Sequence, residues 1–197
     1  MRGKCIWFAM TGVFLFAVGM AWAQNQKPIT SPRQPTPVIP SGNPTLPSTG
    51  FCWVGILRAT PNTISFTANN PGGNVAGNTV ATVSWNVEQG RNGEMWTLNA
   101  GTTSPSFEGC TAVPASAVSV RCISATVDGG GQANAGCNAT SFMNLPNTLP
   151  GLAVARGNTG DAGSHNYSVM LSYELADSWR YIPKTCPLTV TYTVNAN

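Results

Sequence analysis

Two runs near the C-terminus constrain this chain more than anything else in it: over residues 167–175 and 188–194, every second residue is apolar. In the first run Tyr167, Val169, Leu171, Tyr173 and Leu175 recur with Ser168, Ser172 and Glu174 among the residues between them. In the second, Leu188, Val190, Tyr192 and Val194 alternate with Thr189, Thr191, Thr193 and Asn195. Successive side chains of a strand point to opposite faces, so both runs predict strands that bury one face and wet the other, as antiparallel sheets do. The threonines of the second run are expected on the wet face. The bridge between the runs, residues 176–187, carries Asp177, Ser178, Pro183 and Pro187 and reads as a turn region.

The same two-residue period recurs upstream. Residues 52–58 and 63–68 read as short strands on either side of a Thr60-Pro61-Asn62 turn, with Ile64, Phe66 and Ala68 on one face. Residues 79–87 place Ala81, Val83, Trp85 and Val87 inward, and residues 94–100 do the same with Trp96 and Leu98. Between these two runs lies Asn92-Gly93, a dipeptide that favours tight two-residue turns, so they are expected to form a hairpin. At Val118, Val120 and Cys122 the inward positions are even, and over residues 123–127 they become odd, a parity switch that predicts a bulge or a strand crossing between sheets. Residues 149–156 form a weaker strand, and residues 69–77, 128–138 and 157–166 are loops rich in Gly and Asn. Helical periodicity and internal repeats are missing. The expected fold is all-β: an antiparallel immunoglobulin-like β-sandwich of about eight or nine strands over residues 51–197, with a jelly roll or closed barrel sharing the same signature.

The N-terminus has a different character. Arg2 and Lys4 precede a mostly apolar run over residues 6–18, and Ala21-Trp22-Ala23 forms a small-x-small cleavage site, so residues 1–23 read as a secretory signal peptide. The apolar run is shorter than the roughly 20 residues that a spanning helix needs. Residues 24–50 hold Pro28, Pro32, Pro35, Pro37, Pro40, Pro44 and Pro47 among Ser, Thr, Gln and Asn, and are expected to be an extended, disordered tether. Ten basic residues less Arg2 and Lys4 face seven acids, a mature charge of about +1 without a Lys/Arg cluster. Nucleic-acid binding and attachment to an anionic membrane surface are therefore not expected.

Removal of the leader takes Cys5 with it and leaves Cys52, Cys110, Cys122, Cys137 and Cys186. In an oxidising compartment these predict disulfides with one thiol left over. Two bridges among five cysteines can be drawn in about fifteen ways. The pairing expected here joins Cys110 to Cys122 across a short excursion and Cys52 to Cys186, which open the first and last strands. With no paired C-x-x-C spacing and a single histidine, neither a metal site nor a cofactor is expected.

Little catalytic chemistry is on offer. His165 stands beside Ser164 and four residues after Asp161, but neighbouring side chains diverge and no G-x-S-x-G elbow is present, so it reads as a solvated loop histidine. Of the acids Glu88, Glu94, Glu108, Asp128, Asp161, Glu174 and Asp177, only Glu88 and Glu94 would be brought together, by the Asn92-Gly93 turn. Asp128 and Asp161 suit turns better than a calcium site. Trp85 and Trp96 fall on inward positions and are expected in the core. Trp179, Arg180 and Tyr181, in the bridge, are the candidate ligand contact, a small stacking platform for a glycan or a partner protein.

The leader, the alternating runs at 167–175 and 188–194 and the threonine-rich terminal strand together resemble bacterial secreted immunoglobulin-like domains, with a further likeness to chaperone-assembled pilus subunits and spore-coat-U-type adhesins. That second likeness implies an incomplete sandwich finished by the next subunit's N-terminal extension, and a terminal strand with a late tyrosine, here Tyr192, read by a chaperone. The extension in this chain is proline-rich rather than alternating. The expected function is a non-catalytic structural or adhesive role for a secreted, periplasmic or cell-surface protein that meets a surface glycan, a protein partner or its own copies. The alternatives are a carbohydrate-binding module working through Trp179 and Tyr181, and a small secreted glycoside hydrolase with two carboxylates about 5 to 10 Å apart.

Overall fold

The computed structural model describes residues 14–18, 53–54, 57–88, 93–128, 131–160, 163–181 and 185–196. The expected proline-rich tether, Cys52 and most of the expected signal peptide lie outside them. In chain order the strands are β1 (Phe14–Val18), β2 (Trp53–Val54), β3 (Arg58–Thr60), β4 (Thr63–Phe66), β5 (Asn74–Ala76), β6 (Ala81–Glu88), β7 (Met95–Gly101), β8 (Ser106–Phe107), β9 (Cys110–Pro114), β10 (Val118–Asp128), β11 (Asn134–Cys137), β12 (Met143–Asn144), β13 (Leu152–Asn158), β14 (His165–Ala176) and β15 (Thr189–Ala196). A single 3-10 turn, Ala115–Ala117, is the one helical element among the described residues.

The strands divide into two main sheets. The first runs β12-β10-β14-β6-β2, with β3 also on β6 and β5 also on β14; the second runs β11-β13-β7-β15-β1-β4. β14 is the axis of the first sheet because its alternation is unbroken: Tyr167, Val169, Leu171, Tyr173 and Leu175 are buried and the residues between them are not. Its antiparallel pairing with β10 slips between Cys122 and Ser124, where the parity of β10 switches, so the switch is a β-bulge within one long strand. β15 holds the corresponding place in the second sheet, antiparallel to β7 and burying Val190, Tyr192 and Val194.

The expected hairpin does not form. β6 pairs with β14, β2 and β3, whereas β7 pairs with β13 and β15, so the chain crosses from one sheet to the other between residues 88 and 95. Gly93 does adopt a left-handed φ of 72°, and its N–H is spent on Gly160 O. A turn dipeptide specifies local backbone geometry; the longer complementary edge of β14 decides what β6 pairs with.

The two sheets share one core. Trp85 from the first stacks on Tyr167 at 5.3 Å and meets Trp96 from the second edge-on at 5.0 Å, and Trp96 also sits edge-on to Tyr167. Gly157, opposite Trp96 in the register of β13 and β7, makes room for this packing, since an added Cβ would stand 2.5 Å from the indole and 2.0 Å from Asn134 O. The threonine face of β15 is the second departure from expectation: Thr191 and Thr193 are buried rather than wet. Beside them β7 contributes Asn99 and Gly101. The chain near residues 146–151 closes over Gly101, with Thr102 N–H donating to Pro146 O and Gly151 Cα 2.9 Å from where a Cβ would stand. A threonine methyl suits such a half-polar cover.

Two disulfides tie the strands, and their pairing corrects the expected one. Cys122 on β10 bonds Cys137 on β11, linking the two sheets, and Cys110 at the start of β9 bonds Cys186 ahead of β15. Sequence spacing cannot reveal this pairing, because it depends on which strands face one another across the core. Their Cα separations of 5.4 and 5.9 Å suit such bonds.

Across the core, the hydroxyls of Tyr173 and Tyr192 are hydrogen-bonded to each other. Burial raises both phenols above their ordinary range; for Tyr173 the neighbouring Tyr192 adds to the rise, and for Tyr192 the bond to Tyr173 partly offsets it. Both are thus neutral in the fold, and the stability this confers is complete below the unfolded value of about 10 and declines as pH rises beyond it. Urea midpoints measured from pH 8 to 11.5 are expected to be level to about pH 9.5 and then to fall, approaching about 1.4 kcal/mol per pH unit for each tyrosine. The double variant Y173F/Y192F should flatten that fall; an equally steep decline in the variant would assign it to other groups.

Candidate functional site

The residues that suggest catalysis are not brought together. His165 is buried at the start of β14, not solvated in a loop, and its ring faces Tyr167 edge-on at 6.5 Å. The reason is local: β14 begins earlier than the apolar alternation, so His165 takes the inward position opposite Val87. Ser164 is exposed beside it, and Asp161 lies outside the described residues. With β6 and β7 in different sheets, the hairpin that would have joined Glu88 and Glu94 is gone. Glu108 sits in the β8–β9 turn, Asp128 ends β10, and Glu174 on β14 accepts a hydrogen bond from Asn74 Nδ2. Among the described residues no group of three His, Cys, Asp or Glu side chains could hold a metal ion. No helix among them is long and apolar enough to cross a membrane.

One polar cluster is built with unusual care, and it surrounds the bridge after β14. Asp177 is 6% exposed, and its carboxylate accepts from Asn70 N–H at 2.8 Å and from Ser178 N–H at 2.7 Å. Its own N–H donates to Gly73 O and its carbonyl accepts from Gly72 N–H. Gly72 takes a φ of +87°, which lets the 70–73 turn present its Asn70 N–H to this carboxylate and its Gly72 N–H to the Asp177 carbonyl. Residues 178–181 are held as well: Tyr181 N–H donates to Ser178 O, Arg180 N–H to Ser178 Oγ, and Tyr181 OH to Ala176 O.

The three candidate residues are therefore fixed but do not play equal parts. Trp179 is 85% exposed and Arg180 is exposed beside it. Tyr181 folds back against the core, and its phenol is raised by burial and by the Asp177 charge. It buttresses the bridge while Trp179 and Arg180 face outward. Asp177 was visible in the sequence as a turn former; its role as the clasp between residues 70–73 and the bridge depends on a contact 107 residues away.

A second feature concerns the edge of a strand. β1, drawn from the apolar run of residues 6–18, lies within the second sheet, antiparallel to β15 and parallel to β4. Phe14 stands in register with Val190, Phe16 with Ile64 and Val18 with Phe66, and those three partners are buried. Against this geometry, no protein-family model matches the chain, and no curated protein or solved structure is significantly similar to it.

Proposed function

We propose that this chain is a non-catalytic exported β domain, an immunoglobulin-like sandwich with a structural or adhesive role at the cell surface, in which one strand position is filled from outside the mature chain. The observation that carries this reading is the place of β1 between β4 and β15. Cleavage after Ala23 removes that strand and leaves two sheet edges with unpaired N–H and C=O groups, a template for an incoming strand. The tether is the nearest remaining segment, and its prolines lack the donors a mid-sheet strand needs. The replacement is then an extended segment of another chain, apolar at alternate positions to meet Val190, Ile64 and Phe66. This agrees with the likeness to pilus subunits, and the scattered acids and buried histidine favour a role without catalysis.

The test is the intact and native mass of the exported protein over a range of concentrations, with and without reductant. Expected are a chain beginning at Gln24 and reductant-resistant oligomers that grow with concentration, and that dissociate when a peptide of residues 12–18 is added in excess. An exported chain that keeps residues 14–18, or one that stays monomeric at every concentration, overturns the proposal.

A further inference from the structure

We propose that Trp179 and Arg180 form a binding site for acidic polysaccharide, with the indole stacking on the face of a pyranose ring and the guanidinium pairing with the carboxylate of a uronic acid residue. The site belongs to the end of β14 in the first sheet, so it stands apart from the strand exchange proposed for the second.

Three observations carry it. The first is the combination of exposure and restraint. An 85% exposed tryptophan is a cost in water, and this one sits on a bridge whose backbone is clasped by a buried carboxylate and by bonds from Ser178, Arg180 and Tyr181. Its backbone has already lost the freedom that a mobile loop would lose on binding, which is what preorganises a recognition element. The second is the surroundings. The other exposed large apolar residues, Met95, Ile123, Met143 and Leu149, lie on other elements, and the described neighbours of Trp179 in the clasp are Asn70, Asp177, Ser178 and Arg180. Tyr181, the other aromatic residue of the described bridge, is folded against the core and spends its hydroxyl on Ala176 O. A protein-binding hot spot needs an apolar rim that excludes water, and a membrane contact needs several apolar or basic groups together. A sugar asks for less. One ring offers a C–H face to the π-system, and its hydroxyls find polar partners at the edge. The third is charge. Asp177, the nearest acid in the clasp, directs its oxygens to the Asn70 and Ser178 amides, and Arg180 makes no ion pair with a described residue. A guanidinium in that state matches a carboxylate in two parallel hydrogen bonds.

The experiment uses the chain expressed from its full sequence and purified from the exported fraction, in the assembled form it adopts. Its migration is measured in native gels containing polygalacturonate, alginate or neutral dextran. Retardation by at least one of the two acidic polymers is expected, with none on dextran. W179A should weaken that retardation about tenfold. R180A should weaken it and reduce its dependence on salt. Because Trp179 is exposed, W179A should keep the unfolding midpoint of the parent, which separates loss of binding from loss of fold. The absence of retardation on both acidic polymers, equal retardation on dextran, or binding that W179A leaves intact would each overturn the proposal.

Discussion

Reducing both disulfides is expected to lower the stability of the domain by about 7 kcal/mol, a large part of the 5–15 kcal/mol that such domains possess. The size follows from the loops the bonds close. Cys122 and Cys137 are 15 residues apart, which in the chain-entropy account is worth about 3 kcal/mol; Cys110 and Cys186 are 76 apart, worth about 4.5 kcal/mol. Each bond also joins parts of the fold that are not paired as neighbouring strands. Cys122–Cys137 spans from the first sheet to the second, and Cys110–Cys186 holds the small β8–β9 ribbon to the lead-in of β15, where Glu108 N–H also donates to Pro187 O. Guanidinium unfolding of the oxidised protein, the reduced protein and the two paired Cys→Ala variants checks this. The C110A/C186A pair should lose more than the C122A/C137A pair. A reduced protein with an unchanged midpoint would mean that the sheets already confine the unfolded chain as tightly as the bonds do.

Replacing Trp96 by alanine is expected to cost about 3–5 kcal/mol, read as a lower denaturant midpoint at constant slope. Trp96 is 1% exposed and is the second sheet's contribution to the aromatic cluster, edge-on to both Trp85 and Tyr167. Its loss opens a cavity between sheets that the flanking strands cannot collapse, because Trp85 and Tyr167 are held by their own stacking and Tyr167 OH donates to Asn158 O. Gly157→Ala probes the same packing from the other side. Its Cβ would fall on Asn134 O as well as on the indole, so two backbones must separate, and a loss comparable to that of W96A is expected. A W96A protein within 1 kcal/mol of the parent would show that the core relaxes around the gap.

Much of this architecture was legible in the residues because a half-buried strand writes itself as alternation. β14, β15 and β6 were each readable from four or five apolar residues at period two, β7 from Trp96 and Leu98, and the bulge in β10 from a change of parity. What alternation does not carry is partnership. Asn92-Gly93 announced a turn, yet the strands on either side went to different sheets. The cysteine spacing suggested neighbours, yet Cys122 reached Cys137 because β10 and β11 face across the core. The burial of Thr191 and Thr193 depends on the chain near residues 146–151, and the clasp at Asp177 on a turn 107 residues upstream. Such contacts are set by the closed fold and leave no local trace. Trp179, Arg180 and Tyr181 were singled out together as a stacking platform in the bridge; that Tyr181 supports the other two instead of joining them follows from its hydroxyl finding Ala176 O.

The position of β15 has a bearing on when folding can happen. β15 is interior to its sheet, with β7 on one side and β1 on the other, and it contributes Val190, Tyr192 and Val194 to the shared core. The second sheet therefore lacks this interior strand until residues 189–196 are available, whereas the first sheet needs nothing beyond Ala176, and pairings of such long range form late and slowly. For the exported chain proposed above this ordering is an advantage. On that reading the second sheet stays incomplete during the crossing, and the step that completes the core, together with Cys110–Cys186, waits until residues 186–196 have passed.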